Sequence, residues 1–296
     1  MRLNSVKNPL TTGLTSYQIK MIAVFFMTLD HLAAYGFEIP LFTAYYTPLR
    51  ILGRIAAPLF LFTVTESVRH TRSRKGFLLR LYLGAVGAGL FTAVTNFLFS
   101  DSVGMFIQSN ILFTFFYVVL YITLIEQIIS AVREHDRRRG ILAIAGMFAT
   151  CLVDFAYQFL YHIDFSRFGF DLKMSFLCKD LIDSFLESPL RAEYSVLFII
   201  MGVIQYFARN KYWKTAVLVG FSIFSLCAGP WDYLLPGSAS QMTGFPQCCM
   251  ILAAPFMLLY NGEKGKGHKW FFYFYYPLHR YAISLAAYIY LLLFAA

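Results

Sequence analysis

Two adjacent ionisable residues, Asp30 and His31, sit inside the first apolar stretch of the sequence, YQIKMIAVFFMTLDHLAAYGF. They lie about 20 Å along a helix from its start, at roughly 1.5 Å per residue. Consecutive helical residues diverge by about 100°, so the two side chains face different ways and do different jobs. The next apolar stretch opens RILGRIAAPLFLFTVTES and puts Arg50 and Arg54 four residues apart, on one face. A short connection makes the two stretches an antiparallel hairpin, which brings His31 level with Arg54 and offers Asp30 as partner to one arginine. An imidazole in this setting suits general-base work. Two arginines on one face suit holding a phosphate or carboxylate, or steadying negative charge on a carbonyl oxygen.

Other candidates lie further along. Glu66 follows three turns beyond the arginines and could face the interior. His279 and Arg280 stand in FYFYYPLHRYAI of the last apolar stretch, some 12 Å deep at helical rise, below the level expected for His31. If both histidines face one passage, they mark its two levels, with a donor entering from one side and an acceptor from the other. Each candidate has a plain structural alternative. Arg50, Arg54 and Arg280 can snorkel to headgroups, His31 can bond a backbone carbonyl, His279 can be a packing residue, and Glu66 can pair with Arg69. The high cost of ionisable groups in hydrocarbon favours function for His31 with Asp30 and for Arg54. Asn96, Gln108, Asn110, Glu126, Asp154, Gln158, Glu193 and Gln205 read as residues that tie helices together.

The elements that must hold these side chains are membrane spans. Of 296 residues, 58% are hydrophobic, 19% aromatic and 14% charged, where a soluble domain is apolar over about half its residues. The surplus needs lipid. Stretches long enough to cross hydrocarbon, about 20 residues each, recur from end to end. We place nine spans, at residues 17–36, 50–68, 78–99, 107–129, 140–162, 191–208, 213–230, 244–260 and 271–295. The expected fold is an all-α, polytopic integral membrane helix bundle forming a single domain over residues 1–296. The first span leads directly into a second with no cleavage site after it, so it is expected to stay in the product.

Alternate connections are basic: Arg2 and Lys7, then residues 69–80, 133–139, 209–214 and 264–269. Connections 37–49, 100–106 and 231–243 contain no Lys or Arg. The positive-inside rule gives a cytoplasmic N-terminus and an outside C-terminus. Connection 163–189 departs from the pattern, because it carries Arg167, Lys173 and Lys179 and spaces Met174, Leu177, Leu181 and Phe185 three or four apart. That spacing predicts a helix lying in the interface plane. The formal charge of +9 is confined to loops beside apolar spans, where topology and anionic headgroups explain it and nucleic acid is not needed. Five cysteines without metal spacing read as packing residues, and no metal is expected. There is no phosphate-binding loop, nucleophile elbow, zinc-protease pair or dinucleotide fingerprint, which disfavours ATP-driven transport and zinc hydrolysis. No internal repeat of the transporter kind is present.

LDH at 29–31, RILGRIAAPLFLFTVTES at 50–67 and RHTRSRKGFLLRLY at 69–82 resemble the conjugal transfer protein TraX family. SNILFTFFYVVLYI at 109–122, EYSVLFIIMGVIQYF at 193–207, LLYNGEKG at 258–265 and FYFYYPLH at 272–279 resemble it in the same order, so the likeness covers most of the chain. TraX-like proteins are similar, in their opening helix, to the wider transmembrane acyl-CoA-dependent acyltransferases. The resemblance implies acyl transfer in the bacterial inner membrane, with acetyl-CoA or another acyl-CoA as donor and a pilin, peptide or envelope glycan as acceptor. By position, the family histidine falls on His31, its arginines on Arg50 and Arg54, its acid on Glu66, and its loop on His70, Thr71 and Arg72. Ser67 stands where the family commonly has glycine, a change between small residues.

Together the residues and the resemblance give one expected mechanism. Acyl-CoA docks with its phosphates near Arg69, His70, Arg72, Arg74 and Lys75. His31 then deprotonates the acceptor while Arg54, with Arg50, stabilises the oxyanion. Two other classes stay open: a transporter or flippase of an anionic substrate, and a non-catalytic membrane component of a pilus or conjugation assembly.

Overall fold

The computed structural model describes residues 13–36, 39–103, 110–229, 244–267 and 269–294. Arg2, Lys7, Gln108, the connection 231–243 and residues 104–106 of the connection 100–106 lie outside the described residues. Among the described residues, all regular structure is helical apart from one isolated bridge between Leu14 and Tyr260. The helices are α1 (Ser16–Tyr35), α2 (Pro40–Ala44), α3 (Tyr46–Gly53), α4 (Ala56–Arg69), α5 (Arg74–Val103) and α6 (Ile111–Glu134). They continue as α7 (Arg137–Tyr161), α8 (Leu172–Leu186), α9 (Ser195–Phe207), α10 (Lys211–Ala228), α11 (Ala254–Leu258) and α12 (Lys269–Phe294). A 3₁₀ segment, Gln247–Ala253, leads into α11.

Among the described residues, five stretches are long and apolar enough to cross a membrane: Tyr46–Arg69, Arg74–Phe99, Ile111–Glu134, Arg137–Tyr161 and Phe271–Phe294. Their outer surfaces suit lipid. On α7, Leu142, Phe148, Leu152, Phe155 and Phe159 are all exposed, an apolar face that water would not tolerate at this length. Ser195–Phe207 and Gln247–Leu258 are shorter apolar segments. The core runs through the middle of the bundle, where Ile19, Leu59, Phe62, Val118, Ile122, Phe198, Met201 and Leu218 are fully buried. Helix α1 lies against α3, α4 and α12, and so forms the shared wall of both halves of the site.

The start of α1 is fixed from outside itself. Thr15 and Gln18 form a capping box, which satisfies two N-terminal donors reciprocally. The N–H groups of Ser16 and Tyr17 donate to the carbonyls of Glu263 and Lys264, at 2.8 and 3.1 Å. Leu14 N–H donates to Leu259 and the Leu14 carbonyl accepts from Asn261, at 2.7 and 3.0 Å.

The second expected span is not one helix. Its chain turns at Arg54 and Ile55, where N–H groups reach back three residues, Arg54 to Ile51 and Ile55 to Leu52, both at 3.2 Å. Pro58 explains the interruption: it has no N–H to give the Arg54 carbonyl, and its ring is tolerated in the first turn of α4. The eighth expected span is likewise 3₁₀ followed by the short α11.

Helix α8 corrects the expectation of a helix in the interface plane. It packs along α5 through contacts spread over four turns of that helix: Asn96 to Asp180 at 3.0 Å, Gly89 against Ser184, and the Tyr82 hydroxyl to the Phe185 carbonyl at 3.2 Å. On its other side Asp183 accepts from the Tyr157 hydroxyl of α7 at 2.6 Å. The polar residues of α8 therefore face protein, while Leu172, Phe176 and Phe185 are exposed. Spacing alone finds such an amphipathic stripe but not which face meets lipid.

Candidate active site

Helix α1 delivers Asp30 and His31 in two directions, as their adjacency requires. Asp30 turns toward α3. There each carboxylate oxygen takes one arginine: Arg54 Nη2 donates to Oδ1 at 2.6 Å and Arg50 Nη1 to Oδ2 at 2.9 Å. Asp30 thus partners both arginines, where the sequence suggested one, and Arg50 is held inward instead of snorkelling to headgroups. Asp30 and Arg54 are 6% and 7% exposed, so this is an ion pair shielded from water, unlike a surface bridge. Arg54 is held further by Nε to the Arg50 carbonyl at 3.3 Å and by Nη1 to Gln247 Oε1 at 3.0 Å. The helix break at Arg54 is what carries its side chain into the bundle.

His31 turns toward α12. Its Nδ1 stands 2.5 Å from Nε2 of His279. The two histidines therefore share one level, which corrects the expectation that they mark two levels of a passage. The reason is the register of α1 and α12: Thr28 Oγ1 meets the Tyr275 hydroxyl at 2.6 Å, three residues before His31 and four before His279. His279 Nδ1 in turn meets the Tyr275 carbonyl at 2.6 Å.

Arg280 continues the cluster and is not a snorkelling residue, being 2% exposed. Its guanidinium donates to the Tyr276 hydroxyl at 3.2 Å and lies over the rings of Tyr276 and Tyr35, at 5.0 and 5.9 Å. The Tyr276 hydroxyl also accepts from Ile111 N–H at 3.1 Å and donates to Glu193 Oε2 at 3.4 Å. Glu193 is placed by an unusual turn into α9. Tyr194 and Ser195 have φ of +62° and +66°, a left-handed conformation that costs non-glycine residues about 1–3 kcal/mol. The Arg54 guanidinium covers the Tyr194 ring at 5.8 Å. The guanidiniums of Arg50 and Arg54 thus lie on the Asp30 side of α1, that of Arg280 follows His279 on α12, and Tyr276 links Arg280 to the carboxylate of Glu193.

The family model described as TraX protein matches residues 15–171, more than half of the chain. The chain belongs to the TraX family. It is also 24% identical over 271 residues, 90% of this chain and 92% of the relative, to the probable fimbrial assembly protein FimC, serogroup H1, of Dichelobacter nodosus. No solved structure matches it. The TraX match contains Asp30, His31, Arg50 and Arg54, whereas Glu193, Gln247, His279 and Arg280, which complete their environment, lie beyond it.

The remaining expected TraX residues are elsewhere. Glu66 pairs with Lys214 of α10, in place of Arg69, and Lys214 is only 2% exposed. Arg69 is spent on structure: Nη2 donates to the Tyr206 and Ala208 carbonyls at the end of α9, which otherwise have no helical donor. His70 and Arg72 are exposed. Arg74 and Lys75, with Glu126, Arg133 and Arg139, line a cavity of about 790 Å³ at the basic-loop end of α5 and α6. Arg74 pairs there with Glu126 at 3.2 Å, and its Nη1 is buried without a hydrogen-bond partner among the described residues.

Several members of the cluster escaped sequence reasoning. Thr28 and Tyr275 were unmarked, although Tyr275 and His279 are four apart and share a helix face. In sequence Glu193 is one of many polar residues suited to tying helices together, and nothing local distinguishes it. Gln247 and Tyr194 reach Arg54 only through tertiary packing.

Proposed function

We propose that this TraX protein is a membrane-embedded acyltransferase that moves an acyl group, an acetyl group in the simplest case, from acyl-CoA to an amine or hydroxyl of a pilin, peptide or envelope glycan. The observation that carries the reading is the His31–His279 pair at 2.5 Å, flanked in the chain by Asp30, ion-paired to Arg54, on one helix and by the buried Arg280 on the other. Such a cluster supplies a proton acceptor beside fixed positive charge, the two things acyl transfer to a neutral nucleophile needs. His31 takes the acceptor's proton as its nitrogen or oxygen attacks the thioester carbon. Negative charge then develops on the carbonyl oxygen. Arg54 has five N–H groups, of which three are committed to Arg50, Gln247 and Asp30, and the other two suit that oxyanion. Collapse expels the CoA thiolate, which recovers the proton from His31. The cavity beside Arg74, Lys75, Arg133 and Arg139 suits the donor's phosphates. Within this reading the chain spans the bacterial inner membrane nine times as a single domain, with the N-terminus inside and the C-terminus outside.

The name of the fimbrial relative also fits a non-catalytic part in pilus assembly, and a charged cluster also fits passage of an anion. Purified protein incubated with acetyl-CoA, a candidate acceptor and a thiol-reactive dye separates these. Transfer predicts acceptor-dependent thiol release that is lost in His31→Ala and Arg54→Ala proteins that remain folded. Equal release in all three, or none in the wild type with any pilin peptide or glycan, overturns the assignment. Anion passage instead predicts substrate movement into vesicles without free thiol.

A further inference from the structure

The hydrogen bonds of His279 fix which nitrogen of His31 is available for chemistry. A backbone carbonyl only accepts, so His279 Nδ1, at 2.6 Å from the Tyr275 carbonyl, must carry the proton of the neutral ring. His279 Nε2 then holds a lone pair. That lone pair faces His31 Nδ1 at 2.5 Å, and two lone pairs at this distance would repel. His31 therefore carries its proton on Nδ1 and donates it to His279. A neutral imidazole has one N–H, which leaves His31 Nε2 bare.

The geometry suits this assignment. The two imidazole rings are inclined by only 19° and their centroids are 4.8 Å apart. That separation matches the nitrogen contact plus one ring radius at each end, so the rings meet edge to edge and the lone pair points along the bond. His279 is itself held in place. Its ring lies parallel to that of Tyr275, at 7° and 4.7 Å, and the Tyr275 hydroxyl is tied to Thr28 of α1, whose own hydroxyl donates to the Val24 carbonyl at 2.8 Å. Thr28 and His31 on α1 thus meet Tyr275 and His279 on α12 at two successive points.

We propose that His279 is a positioning residue that sets the tautomer of His31, so that Nε2 of His31, and not Nδ1, receives the acceptor's proton. The tautomer stands independently of the acyl-transfer reading, while its role as base rests on that reading. During transfer the proton leaves the acceptor nitrogen or oxygen for His31 Nε2. The Nδ1–H bond to His279 shares the resulting positive charge, and the proton returns from Nε2 to the leaving sulfur. The pair ends the cycle with the protons it began with.

The test uses full-length protein with 15N-labelled histidine in bilayers, studied by solid-state NMR, with the His31 signals identified by their loss in His31→Gln. The expected result is a protonated, hydrogen-bonded Nδ1 and an unprotonated Nε2. His279→Leu should move the proton to Nε2, while His279→Gln, whose amide oxygen can accept from His31, should keep it on Nδ1. In the thiol-release assay His279→Leu should lose about 10²–10⁴-fold in rate, the range of a general base, and His279→Gln should recover most of it. A wild-type His31 protonated on Nε2, or a tautomer unchanged in His279→Leu, overturns the proposal. A changed tautomer with an unchanged rate overturns its catalytic part. The expected tautomer in a protein that releases no thiol upholds the positioning and removes only the acyltransferase reading.

Discussion

Gly53 abuts the carboxylate of Asp30 so closely that a methyl group on it would lie 2.3 Å from the Asp30 Cβ and 2.4 Å from Oδ1. The absence of a side chain at Gly53 is what lets α3 approach α1 and lets Asp30 reach both arginines. Gly53→Ala must displace the carboxylate or separate the helices, because Asp30 is a short side chain whose Cβ and Oδ1 cannot swing clear. Overpacking of this kind costs about 1–3 kcal/mol. The variant should melt at lower temperature in detergent and lose thiol release, and a Gly53→Ala protein with wild-type melting and activity would refute the close approach.

Asp30 neutralises two guanidiniums in a site shielded from water. Asp30→Asn keeps the shape and removes the charge, leaving Arg54 buried without its counter-ion at a cost of about 3–5 kcal/mol. Thermal unfolding of the purified variant should reveal that loss, and Asp30→Asn combined with Arg54→Gln should regain part of it. Additive losses in the double variant would mean that the two residues are not coupled.

Glu66 and the buried Lys214 form a second ion pair, between α4 and α10. Glu66→Gln and Lys214→Met should each destabilise the protein, with a coupling between them of about 0.5–3 kcal/mol in a double-mutant cycle. The double variant should retain thiol release if its fold is kept. Loss of turnover in a stable double variant would restore Glu66 to the chemistry.

The basic loop divides into two roles. Arg69 closes the end of α9, so Arg69→Ala should lower stability by about 1.5–3 kcal/mol, the worth of hydrogen bonds to a charged group, and leave the KM for acetyl-CoA unchanged. Lys75→Ala and Arg133→Ala, at the cavity, should raise that KM severalfold with little change in melting temperature. The reverse pattern in steady-state kinetics would put the donor at Arg69.

The long apolar helices were legible because hydrocarbon thickness imposes length and composition directly on sequence. Asp30, His31 and Arg54 were legible for the complementary reason, as ionisable residues where lipid excludes them. The break at Arg54 was written less plainly, in Pro58, since a proline three residues into a helix and one inside a kinked span look alike. Partners were harder. Glu66 was offered Arg69 three residues away, yet it meets Lys214, 148 positions on. The depth of His279 along its helix fixes its level only for a helix without tilt or offset, and the Thr28–Tyr275 contact shows how the two helices align. Pairings across such distances follow from helix packing, and one sequence carries no record of it.

The fastening of Leu14, Ser16 and Tyr17 to residues 259–264 gives the protein a drawstring. The segment that grips the foot of α1 also leads toward α12, so the two helices bearing the histidines start from a common knot. The imidazole contact therefore lies between two ties, the Thr28–Tyr275 hydrogen bond beside it and these backbone bonds at the start of α1.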